Sequence, residues 1–336
     1  MATQIETSFK LKGFIESQIG GRAENQDSAG AVDAKIGTVI TVCDGMGGHN
    51  GGKTAAMIAV KTVIDDIAKA HRLDDPAQVL RDAIIHANSA IIEASEINPE
   101  LRGMGTTITA AIVNARCVTV AHVGDSRIYQ LRGGKKVFRT NDHSQVFEMV
   151  KAGLMDEEAA RTSSNSNIIL KALGISEDLE PEITELPYVS GDRFILCSDG
   201  FWNPFPEDEF IKLVAGGRNV GEVIDRASRE IDFAGIKSGN VHDNFTAAIF
   251  DLHCDSKFKI KMRRSTKILI AALSLALIAS VSLNCYLANT VSSNRAPSES
   301  AAPDISPEGC DTLGRNPAVE GAQSEAYIGN SGQNQQ

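Results

Sequence analysis

The sequence predicts an α+β fold in which antiparallel sheets carry helices on their outer faces, followed by one membrane-spanning helix near the C-terminus. Three observations predict it. Two long stretches with helical periodicity fall between blocks of short strand-like runs. Many of those runs are joined by tight turns, as antiparallel neighbours are. Residues 268–288 run without a charge, about the length that a bilayer crossing needs.

Residues 8–17 and 36–43 read as strands, the second dense in Val, Ile and Thr. Helical periodicity follows from about Lys53 to Ala70 and from Pro76 to Ser95. Short strands are expected near 105–113, 116–123, 126–132 and 136–139. Residues 144–175 are more polar and read as short helices and loops. A strand at 192–198, helices at 207–215 and 219–233, and a last strand at 244–252 complete a domain expected over residues 1–254. No internal repeat interrupts the pattern.

After Cys254 the composition changes. Residues 255–267 form a basic linker, and Ile268–Ala288 is the expected transmembrane helix. Lys257, Lys259, Lys261, Arg263, Arg264 and Lys267 precede the span, whereas Arg295 is the first charge after it. By the positive-inside rule the large domain is expected in the cytoplasm, with the tail over 289–336 outside. That tail is rich in Ser, Asn, Pro, Gly, Glu and Gln and reads as disordered. The N-terminus, MATQIETSFKLKGF, has no apolar run of signal-peptide length.

The 42% hydrophobic content supplies a sizeable core, filled mostly by Val, Ile, Leu and Ala because aromatics are only 5%. Lys and Arg number 33 against 43 Asp and Glu, a net charge of -10. That balance excludes a general nucleic-acid binder, which needs a basic face to displace counterions. Six cysteines, at 43, 117, 197, 254, 285 and 310, show no C-x-x-C and no zinc spacing. Cys43, Cys117 and Cys197 sit in or beside apolar runs and read as reduced core residues.

The chemistry is carried by aspartates at strand ends. Asp44 follows a β run in TVITVCDGMGG, Asp125 lies in VTVAHVGDSR, Asp199 in RFILCSDGFW and Asp243 in VHDNFTAAIF. Asp27 follows the opening strand in GGRAENQDS. Each alone is an ordinary turn signal, since Asp bonds its own backbone and Gly accepts positive φ. Four acids, each at an apolar boundary, point further: clustered carboxylates repel unless a cation neutralises them. Oxygen-only ligands suit hard cations such as Mg²⁺ or Mn²⁺. Two such ions sharing a carboxylate can activate a water, as in two-metal phosphoesterases.

In order and spacing, GRAENQDS (21–28), DGMGG (44–48), GTT (105–107), VGDSR (123–127), DHS (142–144), SDG (198–200) and Asp243-Asn244 resemble the bacterial branch of the protein phosphatase type 2C family. The resemblance covers about residues 8–253. It implies a central β-sandwich of two antiparallel sheets flanked by helices, in α-β-β-α layers. It further implies two Mn²⁺ or Mg²⁺ ions, a weaker third, and hydrolysis of phosphoserine and phosphothreonine in proteins. Phosphorylated proteins and a cognate Ser/Thr kinase are the implied partners. On this resemblance Asp44 bridges the two metals, Gly45 offers its carbonyl to the second, and Asp199 and Asp243 hold the first. Asp125 joins Asp199 at the third, and Arg22 grips the substrate phosphate through its guanidinium fork. Gln26, Asp27 and Ser126 support the metal and phosphate sites. A metal-bridging hydroxide attacks phosphorus in line, with no phosphoenzyme, and Asp142–Gly174 forms a variable flap. Three positions depart from the pattern. Gln26 stands where the family usually has a Glu that holds the second metal through water. Met46 stands where eukaryotic members have a His proposed as general acid. Asn203 replaces an Asp that some members use at the third metal.

Residues 47–54, GGHNGGKT, also match the P-loop pattern between a β run and a helix. That reading makes Lys53 and Thr54 phosphate and Mg²⁺ contacts but leaves Arg22, Asp125 and Asp243 unexplained. A non-enzymatic binding module is the other alternative, supported only by Gln26 and Met46. His143 is expected to stabilise a turn rather than ligate metal, and His122 and His242, which flank key aspartates, are expected at most to orient them.

Overall fold

A computed structural model of the chain describes residues 2–48, 51–237, 239, 242–253 and 280. In chain order, β1 (Thr3–Gln4), β2 (Leu11–Gln18), β3 (Asp27–Ala34) and β4 (Gly37–Met46) lead into α1 (Gly51–Lys69) and α2 (Pro76–Ile97). Next come β5 (Gly105–Thr106), β6 (Ile108–Val113), β7 (Val118–Val123), β8 (Arg127–Arg132) and β9 (Lys135–Arg139). The polar stretch holds α3 (Gln145–Lys151) and α4 (Glu157–Arg161), followed by β10 (Glu182–Leu186) and β11 (Arg193–Cys197). Then α5 (Asp199–Trp202), α6 (Glu207–Ala215), α7 (Val220–Lys237) and β12 (Phe245–Leu252) close the described fold.

The strands form two antiparallel six-stranded arrangements. One has the order β1-β2-β12-β11-β8-β9; the other runs β10-β7-β6-β4-β3, with β5 pairing β4. Side-chain alternation sorts the strands' residues into layers. On β4, Val39 and Cys43 pack beneath α1 and α2, while Ile40 and Val42 face the opposite sheet. On β12, Phe245, Ala247 and Ile249 pack with α6 and α7, while Ala248, Phe250 and Leu252 face inward between the sheets. Three hydrophobic clusters thus hold four layers, helix–sheet–sheet–helix. Both faces of each central strand are buried, which is why they read as continuous apolar runs.

The helices begin where the sequence signals them. Asp75 caps α2 by accepting from the Ala77 N–H at 3.1 Å, with Pro76 in the first turn. Along α1, Ala55, Ala56, Ala59, Val60, Val63 and Ile67 form the buried stripe.

The chain divides into two units, Met1–Lys261 and Met262–Gln336; every numbered element belongs to the first. The α+β layering with two antiparallel sheets stands, but the membrane part of the expected fold is corrected. Among the described residues no helix is long and apolar enough to cross a membrane. Ile268–Ala288 itself lies outside the described residues, apart from Ser280. The expectation rested on an uncharged run of spanning length between a basic flank and a polar tail. The single-pass anchor, and with it the cytoplasmic domain and exported tail, is therefore withdrawn.

Candidate active site

Each aspartate is delivered by the end of a strand. The buried run of β4 ends at Asp44, whose register partner on β3 is Asp27. The Asp44 strand end is pinned on its far side: its N–H donates to Thr107 Oγ1 at 3.0 Å, and its carbonyl accepts from the Thr107 N–H at 2.8 Å and Thr106 Oγ1 at 2.8 Å. Thr107 Oγ1 in turn lies 2.7 Å from Ser126 Oγ, next to Asp125. Gly45 is needed because a Cβ there would fall 2.1 Å from the Gly52 carbonyl oxygen, so only glycine lets α1 start this close to the strand. Asp199 opens α5 directly after β11, and its neighbour Ser198 donates to Asp27 Oδ2 at 2.8 Å. Asp243 precedes β12. Asn244 secures the loop opposite it, accepting from the Gln26 N–H at 2.8 Å and donating to the carbonyls of Ile19 at 2.7 Å and Glu24 at 2.9 Å. Arg22, on that loop, meets Asp243 at 2.8 Å.

Burial grades across the group. Asp27 and Asp125 are buried, Asp44 and Asp199 are half-buried, and Asp243 and Arg22 are exposed, so the cluster opens to solvent on the Arg22 side. Burial, reinforced by the charges of Asp199 and Asp243, pushes the Asp27 carboxyl up to about 7. Enclosure by protein and then the neighbouring carboxylates also raise Asp44, Asp125 and Asp199 above the usual carboxylate range. Asp27 Oδ1 and Asp125 Oδ1 are buried with no hydrogen-bond partner. Buried carboxylate oxygens without donors, in an all-oxygen set, fit hard divalent cations.

A pH dependence follows. A carboxyl whose folded pKa lies above its unfolded value takes up a proton on folding. Its favourable contribution is complete below the unfolded value, about 4, and is lost as pH rises through the folded value. In EDTA the melting temperature is expected to fall between about pH 5 and about pH 8, and Asp27→Asn to flatten part of that fall. Scanning calorimetry in EDTA checks this; a melting temperature flat or rising over that window contradicts it.

The P-loop alternative fails on topology. The strand before residues 47–54 pairs only with antiparallel neighbours, whereas a P-loop follows a parallel strand of an α/β sheet. Lys53 instead pairs with Glu24 at 2.9 Å.

The model of the family described as protein phosphatase 2C matches residues 16–224. The chain belongs to the protein phosphatase 2C family. The serine/threonine phosphatase stp of Listeria monocytogenes is 35% identical over 208 residues, which cover 61% of this chain and 82% of that one. The crystal structure of the Mycobacterium tuberculosis serine/threonine phosphatase PstP/Ppp superposes with a TM-score of 0.64 at 31% identity, covering 73% of this chain and 99% of that chain. The catalytic domain of PstP in complex with 2 manganese ions gives 0.62 at 30%, covering 73% and 99%. As a member, this chain is an enzyme, a metal-dependent protein serine/threonine phosphatase.

The phosphatase also contains a network that the sequence reading missed. Arg127 forms a bidentate pair with Asp142 at 2.8 and 2.7 Å, and its guanidinium lies 3.3 Å over the Trp202 ring. Trp202 Nε1 donates to the Asp125 carbonyl at 3.2 Å. These residues border a narrow cleft that also takes in Asp199, Phe147, Arg161 and Asn203. Asn203 Oδ1, buried there, has no hydrogen-bond partner. Arg127 and Asp142 lay inside quoted motifs, but nothing in their spacing signals a buried ion pair. Apart from the aspartates, His122, His143 and Glu182 bring possible ligand atoms within 4.8 Å of one another. The bonds of His143 Nδ1 to the Gly124 N–H and of His122 Nε2 to the Asn141 carbonyl place both ring protons on Nε2, the atoms nearest Glu182.

Proposed function

We propose that this phosphatase hydrolyses phosphoserine and phosphothreonine in proteins at the aspartate cluster, with two Mn²⁺ or Mg²⁺ ions and a weaker third. The convergence of Asp27, Asp44, Asp125, Asp199 and Asp243 from separate strand ends, two of them with unpartnered buried oxygens, carries this reading. Asp44 and the Gly45 carbonyl would serve both ions, Asp199 and Asp243 would complete the first site, and Asp125 with Asp199 would hold the third. When bound, the ions supply Lewis acidity and a water made nucleophilic at neutral pH. Arg22, exposed on the open side beside Asp243, binds and orients the phosphate. Asp27, Gln26 and Ser126 hold the surrounding loops and strand ends through the bonds described above. Cys43 and Cys197 lie behind the cluster, and burial pushes both thiols up. Neither offers a thiolate for a cysteinyl-phosphate, and in this reading hydrolysis is direct, without a phosphoenzyme.

The catalytic domain in this reading is residues 1–254, and Asp142–Gly174 is the flap that shapes substrate choice beside the cleft. The enzyme reverses a cognate Ser/Thr kinase. The full chain is expected to hydrolyse p-nitrophenyl phosphate and phosphothreonine peptides with added Mn²⁺. In excess EDTA the rate should fall by at least about a thousandfold; unchanged turnover would sink the metal mechanism. Gln26→Glu adds a carboxylate beside the second ion. It should lower the Mn²⁺ needed for half-maximal activity by about threefold, and an unchanged or weakened requirement in a Mn²⁺ titration would remove Gln26 from the metal surroundings.

A further inference from the structure

The turn bearing Asp125 crosses from β7 in one sheet to β8 in the other, so no ladder of sheet hydrogen bonds spans it. Gly124 takes φ +104 there, and a Cβ would lie 2.6 Å from Thr107 Cγ2. On its other side His143 holds it twice. The His143 backbone N–H donates to the Gly124 carbonyl at 2.9 Å, and the Gly124 N–H donates to His143 Nδ1 at 3.1 Å.

That second bond fixes the ring. Nδ1 accepts, so the proton of the neutral imidazole sits on Nε2, and burial keeps the ring below the usual imidazole range. Nε2 is buried and makes no hydrogen bond of good geometry, but it faces the Glu182 carboxylate, with Oε1 3.4 Å away. His122 stacks on His143, with centroids 4.7 Å apart and planes at 13°. Its Nε2 lies 2.8 Å from the Asn141 carbonyl, which only accepts, so it too carries its proton on Nε2. A ligating histidine presents a lone pair to the metal and donates its other N–H to an acceptor. His143 does the reverse, so the trio suits a hydrogen-bonding brace rather than a cation.

We propose that His143 is a positioning residue: its Nδ1 and backbone N–H fix the Gly124–Asp125 turn and so set the Asp125 carboxylate, while His122 and Glu182 hold the ring. The role rests on the proposed place of Asp125 among the metal ligands. His143→Asn keeps an amide oxygen near the Nδ1 position. His143→Gln moves the amide outward, toward the Nε2 position, and leaves the Gly124 N–H without its acceptor.

The test is Mn²⁺ binding to the full chain, read from the electron paramagnetic resonance of free aqueous Mn²⁺, with Asp125→Ala in parallel. Asp125→Ala should abolish the weakest binding step. His143→Gln should weaken that same step by about tenfold, the size usual for an orienting partner, and leave the tighter steps alone. His143→Asn should stay within about twofold of wild type. A wild-type titration for His143→Gln, or equal losses in the Asn and Gln variants, overturns the positioning role while leaving Asp125 a ligand. A wild-type titration for Asp125→Ala removes Asp125 from the metal set and the brace's purpose with it. If His143→Gln does not fold, Glu182→Ala serves, since Glu182 is half-exposed on an edge strand. It takes away the carboxylate facing Nε2 and should weaken the same step; a wild-type titration there counts against the brace.

Discussion

Asp44→Ala is expected to remove nearly all turnover while leaving a folded chain. The strand end that carries Asp44 is held by the backbone and hydroxyls of Thr106 and Thr107, none of which involves the Asp44 side chain. The carboxylate itself stands in repulsion with Asp27, Asp199 and Asp125. Removing it gives up one hydrogen bond shared with Asp199 and relieves that repulsion, so in EDTA the variant should melt close to wild type. Catalysis has the opposite dependence. In the proposed site this one carboxylate would hold both ions, and with them the Lewis acidity that makes a water nucleophilic. Losing it should cost several kcal/mol of transition-state stabilisation, a fall in kcat of at least about a thousandfold. The check is kcat on a phosphothreonine peptide at saturating Mn²⁺, beside melting curves in EDTA. A wild-type rate would show that the reacting centre lies elsewhere; a lost rate with a collapsed melting curve would show that Asp44 is structural.

Much of this arrangement was legible because the site residues end apolar runs. TVITVC before Asp44 and RFILC before Ser198-Asp199 announce buried strands, and a strand's end is where a charge can leave the core. The two edge strands of the sheet that carries Asp44 were not legible. β3, DSAGAVDA, is built of small residues with weak β propensity and owes its pairing to β4, its register partner. β10, EITEL, is only five residues long and sets its two apolar residues, Ile183 and Leu186, three apart, which breaks the alternation that signals a strand. The short α5 was missed because its four residues, DGFW, form too brief a run for periodicity. The pairing of Asp27 with Asp44 was hidden for the same reason as β3. The positions of the other aspartates could be read from sequence, but their convergence could not, since it depends on which strand ends the topology places side by side. The expected membrane span is corrected on another ground: it rested on composition around an uncharged run, and among the described residues no helix is long and apolar enough to cross a membrane.

The ion pair of Arg127 and Asp142 gives the largest expected effect on stability. Both side chains are nearly enclosed, at 10% and 7% exposure, and Arg127 also donates to the Tyr129 hydroxyl at 3.1 Å. Arg127→Ala leaves a buried carboxylate without its partner, which costs on the order of 3–5 kcal/mol. For a domain of this size the melting temperature should fall by about 10 °C. Arg127→Lys should not rescue it, because an ammonium cannot reproduce two parallel bonds to Asp142 and a planar stack on Trp202. Arg127→Met combined with Asp142→Leu removes both charges and should recover more than half of the loss, since the desolvation cost of the carboxylate disappears with it. The double variant should nonetheless turn over more slowly than wild type. Trp202 then loses the guanidinium that covers its ring, and its indole N–H is the group that holds the Asp125 carbonyl. Calorimetry separates the outcomes. A single variant melting within about 2 °C of wild type would mean that water reaches Asp142 once Arg127 is gone. A double variant as unstable as the single would assign the loss to packing against Trp202 rather than to charge.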